Sequence, residues 1–369
     1  LNQLASAGLF AASLLGTLLF GEFAVRLFVN PGDFLVAARR PDPVLDYRVE
    51  PGVGGHDAWG FRNPAVPETA DVVVVGDSLT YGFGAPADDS WPAALARLTD
   101  RSVYNLGHGG YGPLQYRHLV EERALALAPS DVVVGLYLGN DLLNAYVVAY
   151  SLEHWSGLRD PERPELEVLA SARGQGVARP FVRPAEKRGL VQWLRSHSVL
   201  AGMAWKALHG GRDAPPRGRA VLDSRGEILT RVDVSQGLAT LDLEDPRVAE
   251  GLRLTLDALE VMAAACRARG VRLVVVLIPS KASVFREALL RTPDTEVVER
   301  VTANERTVAD AIRTRLDAAG IAHVDVLPDL RAAATRSGLY PRSANQHPTG
   351  EGYRVIAEGV ARSFASPVP

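Results

Sequence analysis

Lysine is almost absent: of 40 basic residues, only Lys187, Lys206 and Lys281 are not arginine. Against 43 acidic residues they leave a net charge of −3. That gives no basic excess of the kind general nucleic-acid binding requires. Cysteine occurs once, at Cys266, which excludes an internal disulfide framework and any cysteine-based zinc site. It lies in an alanine-rich helical stretch and reads as an inert buried thiol. The eight histidines show no metal-ligand spacing, so no metal is expected. No cofactor is expected either. No Gly-x-Gly-x-x-Gly follows a strand with the required downstream acid, and there is no Walker A lysine. Repeats and low-complexity tracts are missing too. What is abundant is apolar: 47% of the 369 residues are hydrophobic and 22% charged, enough for a full core and too apolar for a disordered chain.

The first apolar stretch is the longest. Leu4 to Gly21 carries no charge, and apolar character resumes through Phe23, Ala24, Val25, Leu27, Phe28 and Val29. About 20 apolar residues at about 1.5 Å each cross a hydrocarbon core of about 30 Å. Gly21-Glu22-Phe23-Ala24 offers no good small-x-small cleavage site. A retained transmembrane anchor over residues 1–29, meeting the bilayer through residues 4–29, is therefore preferred to a cleaved signal peptide or a buried helix. Residues 30–68, rich in Pro and Gly, read as a connector.

The pattern then changes. Val72–Val75 is a short continuous apolar run, as expected of a parallel strand buried on both faces. Further strands are expected at Ser102–Leu106, Asp131–Leu138, Leu273–Ile278 and His323–Leu327. Helices are expected at Trp91–Leu98, Tyr116–Leu127, through Leu252 to Met262, at Glu296–Ala319 and at Thr349–Phe364. Strands alternating with helices imply βαβ crossovers and a parallel sheet covered on both faces. The core then falls in two parts, 69–142 and 247–369. Residues 143–246 form an insertion in which Pro161, Pro164, Pro180, Pro184, Pro215 and Pro216 exclude long central strands. Within it one helix is expected from Leu190 to Leu208. Leu190, Leu194, Ala201, Trp205 and Leu208 share its face, either packed on the core or serving as a lid or a membrane-surface helix. Asp223–Gly226 reads as a hairpin turn.

Polar clusters sit where these strands end. Gly76-Asp77-Ser78-Leu79-Thr80 follows the first strand, and Asn105 through Gly112 follows the second. Gly139-Asn140-Asp141 follows the third, and Gln346-His347-Pro348 precedes the last helix. The carboxyl edge is where open α/β sheets build sites. Each cluster alone has an ordinary reading: Ser78 as a helix cap, Asn140 as a turn former, His347 as a surface or structural residue. His108 reads as a loop histidine or a substrate contact.

Taken in order, the four blocks resemble those of the SGNH (GDSL-type) hydrolases, over roughly residues 57–142 and 247–369. The resemblance implies a flavodoxin-like three-layer α/β/α sandwich and a serine nucleophile acting on acyl esters. It implies Ser78 as nucleophile and His347 as general base. Ser78 N–H, Gly110 N–H and the Asn140 side chain would form the oxyanion hole. A serine hydroxyl needs an adjacent base, and a tetrahedral oxyanion needs preorganised donors.

One departure stands out. The family places an aspartate two or three residues before the histidine, where this chain has Asn345 and Ala344. Three outcomes are open. The site runs as a Ser-His dyad oriented by Asn345 or a backbone carbonyl, an acid from elsewhere substitutes (Asp329, Asp325 or Glu351), or the site is degenerate. The anchor followed by Gly21-Glu22, the Trp59-Gly60-Phe61-Arg62 stretch and Ile278-Pro279-Ser280-Lys281 resemble membrane-anchored bacterial members of the family. Some of those resemble accessory proteins of polysaccharide O-acetylation. That implies a globular part outside the cytoplasm, a glycan or acyl ester substrate, and an integral membrane partner such as an O-acyltransferase. Lys281 reads as a site-facing cation or as a solvated strand-end charge. Two functions follow as expectations: a membrane-tethered esterase or O-acyltransferase, or a non-catalytic accessory subunit.

Overall fold

The computed structural model describes residues 2–171, 189–209, 218–293, 295–335 and 338–365. Pro180, Pro184, Lys187, Pro215 and Pro216 lie outside these. The apolar N-terminal run forms α1 (Asn2–Arg26), whose side chains are exposed and which is long and apolar enough to cross a membrane. The connector folds into a hairpin of β1 (Arg39–Asp42) and β2 (Asp46–Val49). The first valine run is β3 (Val72–Gly76), buried throughout. It leads through the short α2 (Ser78–Tyr81) to α3 (Trp91–Thr99) and β4 (Val103–Asn105).

Next comes α4 (Pro113–Glu122), started by a proline at its first turn. The helix expected to run to Leu127 ends at Glu122. Arg123 leaves the helical region, and Ala124–Leu127 is a separate 3-10 turn. Then come β5 (Asp131–Tyr137), α5 (Asp141–Ser151) and α6 (Glu165–Ser171). The single helix expected over Leu190–Leu208 is instead two, α7 (Leu190–His197) and α8 (Val199–His209). Ser198 between them is extended, at φ −118° and ψ 118°. Its apolar residues do not pack on the core: Leu190 is 72% exposed and Leu208 74%.

The hairpin of β6 (Arg219–Leu222) and β7 (Ile228–Val232) turns at Asp223–Gly226, as the sequence suggests. Asp223 Oδ1 accepts the N–H groups of Arg225 and Glu227, and Gly226 takes φ +83°. The chain continues through α9 (Ser235–Thr240), α10 (Pro246–Arg267), β8 (Arg272–Ile278), α11 (Lys281–Val284), α12 (Arg286–Leu289) and α13 (Thr295–Ala318). It closes with β9 (Ala322–Asp325), α14 (Leu327–Ala333) and α15 (Gly350–Ala365).

The main sheet has five parallel strands in the order β4-β3-β5-β8-β9. Counting core strands alone, this is the 2-1-3-4-5 order of flavodoxin-like folds. Right-handed crossovers put α3 and α15, which pack together, on one face, and α4, α5 and α10 on the other. Cys266 is buried in α10, and burial raises its thiol to about 11, as expected of an inert residue. The first strand and both its neighbours, β4 and β5, end at one rim. The loops after these three strands therefore stand side by side.

Candidate active site

Ser78 begins α2, just after β3. The turn is tight: a Cβ on Gly76 would collide with the Thr80 side chain. Asp77 caps α2 by accepting the Leu79 N–H at 2.8 Å, and the Ser78 hydroxyl lies 3.3 Å from its other oxygen. Burial pushes Asp77 up to about 7.

The loop before α15 completes the group. His347 Nε2 is 2.8 Å from Ser78 Oγ, and His347 Nδ1 is 2.8 Å from Asn345 Oδ1. The same Asn345 oxygen accepts the His347 backbone N–H at 3.1 Å. Only a carbonyl oxygen can accept that N–H, so the ring nitrogen beside it must be the protonated one. Nε2 then carries the lone pair and faces the hydroxyl. Burial, with no carboxylate to oppose it, holds His347 down at about 4, so the imidazole is neutral at pH 7. Hydroxyl, base and orienting amide thus form one hydrogen-bonded chain.

The three acids weighed as substitutes are engaged elsewhere. Asp325 pairs with Arg313 at 2.5 Å, Asp329 with Arg362 at 2.6 Å and Glu351 with Arg354 at 2.6 Å. Lys281 is neither solvated nor a free site cation. It is fully buried, and its Nζ donates to the carbonyls of Ser343 at 3.0 Å and Asn345 at 2.8 Å. It lies 5.0 Å over the Tyr340 ring, and burial lowers it to about 7. It therefore pins the loop that carries Asn345 and His347.

Gly110 and Asn140 stand on the two flanking loops. Gly110 has φ +87°, which favours glycine, and His108 N–H bonds the Gly76 carbonyl at 3.0 Å, fixing that loop against the end of β3. The Asn140 amide has no hydrogen-bond partner among the described residues, and its Oδ1 is buried. No hydrogen bond joins Gly110 or Asn140 to Ser78 or His347 among those residues. His108 is a loop histidine, as read, but its ring is buried beside Tyr47 and Tyr111. Tyr47 donates to the Gly109 carbonyl and pairs with His108 Nδ1 at 3.1 Å.

Several supporting residues escape a motif reading. Asp57 accepts the N–H groups of Trp59 and Phe61, the Tyr104 hydroxyl at 2.6 Å and the Asn63 amide. Asn63 in turn brackets the backbone of Asn105. Buried Arg62 donates to Asp33 at 2.6 Å and to the carbonyls of Gly82 and Ala85. Phe83 stands 5.5 Å from the His347 ring. The one sequence signal is the residue type at position 57, since an aspartate side chain tends to accept backbone N–H groups just after it in Asx turns.

The sequence profile of the GDSL-like Lipase/Acylhydrolase family matches residues 74–355, a span that includes Ser78, Gly110, Asn140, Asn345 and His347. The chain belongs to this family. Its functional class is that of the GDSL-type esterases and acylhydrolases. No curated protein matches it in sequence. Among solved structures it is similar to a member of the lipolytic protein G-D-S-L family from Veillonella parvula. The identity there is 12%, over 80% of this chain and 98% of that one, with a TM-score of 0.38. It is also similar to a catalytic mutant of an acetylxylan esterase from Geobacillus stearothermophilus, at 10% identity over 82% and 97%, with a TM-score of 0.40. A GDSL-like lipase from Bacteroides thetaiotaomicron is 11% identical over 80% and 87%, with a TM-score of 0.37.

Proposed function

We propose that this GDSL-family protein is a membrane-anchored serine esterase or O-acyltransferase acting on an acylated glycan outside the cytoplasm. The observation that carries it is the Asn345–His347–Ser78 chain, with 2.8 Å at both links. Ser78 Oγ attacks the ester carbonyl while His347 Nε2 takes its proton. The Ser78 and Gly110 N–H groups and the Asn140 amide receive the oxyanion. The imidazolium then protonates the departing alkoxide, leaving an acyl group on Ser78. Water completes hydrolysis, and a sugar hydroxyl completes transfer.

Anchoring is supported by the way α1 ends. Glu22 accepts from the Ser198 hydroxyl and from the N–H groups of Val199 and Leu200, so removal of α1 would strip α8 of its cap. A cleft of about 600 Å³ opens between the connector, Lys206 of α8 and the Tyr81–Pro86 turn. Phe83 forms part of its wall and borders His347, so an acyl substrate can approach from the anchor side. An integral membrane acyltransferase is the partner this arrangement suits. The Ser78–His347 distance weighs against a purely non-catalytic accessory role.

A fluorophosphonate probe tests the reading. It should label the purified full chain, and Ser78→Ala should abolish both labelling and ester cleavage. A protein that resists the probe while a known serine hydrolase reacts beside it would defeat the enzymatic account.

A further inference from the structure

We infer that α7 and α8 form a platform that lies in the lipid headgroup region beside α1, holding the catalytic domain against the bilayer. The inference rests on the anchoring proposed above and adds a second lipid contact. It begins with α1, which presents apolar side chains along its whole length and buries none of its spanning window. Near its C-terminal end, Gly21 packs 3.3 Å from Leu200, measured from the position a Cβ would take. Glu22 caps α8 through three hydrogen bonds, and Arg26 donates to the His197 carbonyl at 2.8 Å. The junction of α7 and α8 is therefore fixed at the level where the apolar span ends, which is the height of the membrane interface.

Each helix has a protein side and an uncovered side. Val199 and Gly202 of α8 are buried, Gly202 packs against the Phe34 backbone, and Lys206 lies 5.1 Å from the Phe34 ring. Ser196 of α7 is buried, and its carbonyl and that of Arg195 accept from Gly54 and Val36 of the connector. The uncovered sides carry exposed large apolar side chains: Leu190, Val191 and Trp193 on α7, Trp205 and Leu208 on α8. A soluble protein rarely shows so many large apolar side chains together. Arg195, Lys206 and the histidines at 197 and 209 accompany them, and Arg195 stacks 4.3 Å over Trp205. Tryptophan beside basic residues, at the end of an apolar span, is the composition of a membrane interface.

The test uses the full chain reconstituted in phosphatidylcholine–phosphatidylglycerol vesicles carrying lipids brominated either high or low on the acyl chain. The expected result is quenching of tryptophan fluorescence, stronger with the shallow bromines. Trp193→Phe/Trp205→Phe should lose most of it, with an unchanged circular dichroism spectrum. Trp59, Trp91 and Trp155 stay in that variant as internal controls. A chain that floats with the vesicles but shows no quenching traceable to Trp193 and Trp205 overturns the platform while leaving the anchor standing. A chain that fails to float overturns both.

Discussion

Replacing Asn345 by aspartate puts a negative charge on the atom that already holds His347 Nδ1 at 2.8 Å. An opposite charge this close raises a histidine pKa by about 1–3 units when both groups are shielded. Asn345 is exposed, so solvent screening brings the expectation to the low end, about 1 unit or about 1.4 kcal/mol. His347 starts from about 4 because burial alone acts on it. The base works when neutral, so raising its pKa moves the acid limb of kcat/KM upward, from near pH 4 toward about pH 5. At higher pH both variants hold a neutral ring, and the gain lies in the transition state. There the imidazolium forms, and the new carboxylate stabilises it, for about tenfold in kcat. A serine-protease triad loses about 10⁴ when its aspartate becomes asparagine, and the wrong histidine tautomer is part of that loss. Here the tautomer is already correct, because the His347 N–H fixes which Asn345 atom faces the ring. The gain on restoring charge should therefore be far smaller than 10⁴. The assay is ester hydrolysis across pH for native protein and Asn345→Asp. An unmoved acid limb together with unchanged kcat would refute the coupling.

Asn140→Ala should lower kcat by about 10²–10³ with KM little changed, since it removes an oxyanion donor; equal turnover would take Asn140 out of that role. Lys281→Met should lower kcat more than it raises KM, because the loop carrying the base loses two hydrogen bonds. Lys281 sits near 7 in the fold and near 10.4 unfolded, so the unfolded chain binds the extra proton between those values and stability rises with pH there. The methionine variant should flatten that slope in thermal melts, and identical slopes would count against the burial argument. His56 is held down to about 4 by burial, against about 6.5 unfolded, so acidification through that window destabilises the fold. The contribution lost at pH 5 is on the order of 2 kcal/mol. In urea denaturation, His56→Gln should shrink the difference between pH 7 and pH 5 by about that amount, and an undiminished difference would assign the effect elsewhere.

The parts of this molecule that were legible in the sequence share a property: their signal is local. Four β-branched valines in a row, bounded by turn residues, favour a strand buried on both faces, and Asp131–Tyr137 and Leu273–Ile278 speak as clearly. The serine, glycine and asparagine blocks lie at strand ends, where a parallel sheet gathers its loops at one rim, and the histidine block lies in the loop before the last helix. What was not legible depends on partners distant in the chain. The segment from Leu190 to Leu208 has helical periodicity throughout, yet it breaks at Ser198, whose hydroxyl bonds Glu22, 176 residues away. Lys281 follows a strand and reads as a surface charge, but the carbonyls that bury it lie more than sixty residues on. Tyr47 and Asp57 belong to a connector whose composition suggests only a linker, and their partners are in the loop and strand beside the nucleophile.

Asn345 joins these two classes. On its own it is a missing acid, and the sequence leaves open whether the site works. The contact that supports the proposed mechanism is a backbone N–H two residues later, which no composition or motif records. That contact separates the two tasks an aspartate performs, orienting the ring and stabilising its charge. The first survives in this chain and the second does not. On the proposed mechanism the result is a base whose pKa is set by burial and whose imidazolium no carboxylate stabilises in the transition state. Such an enzyme should keep its activity to lower pH than one with a full triad, and turn over more slowly at neutral pH.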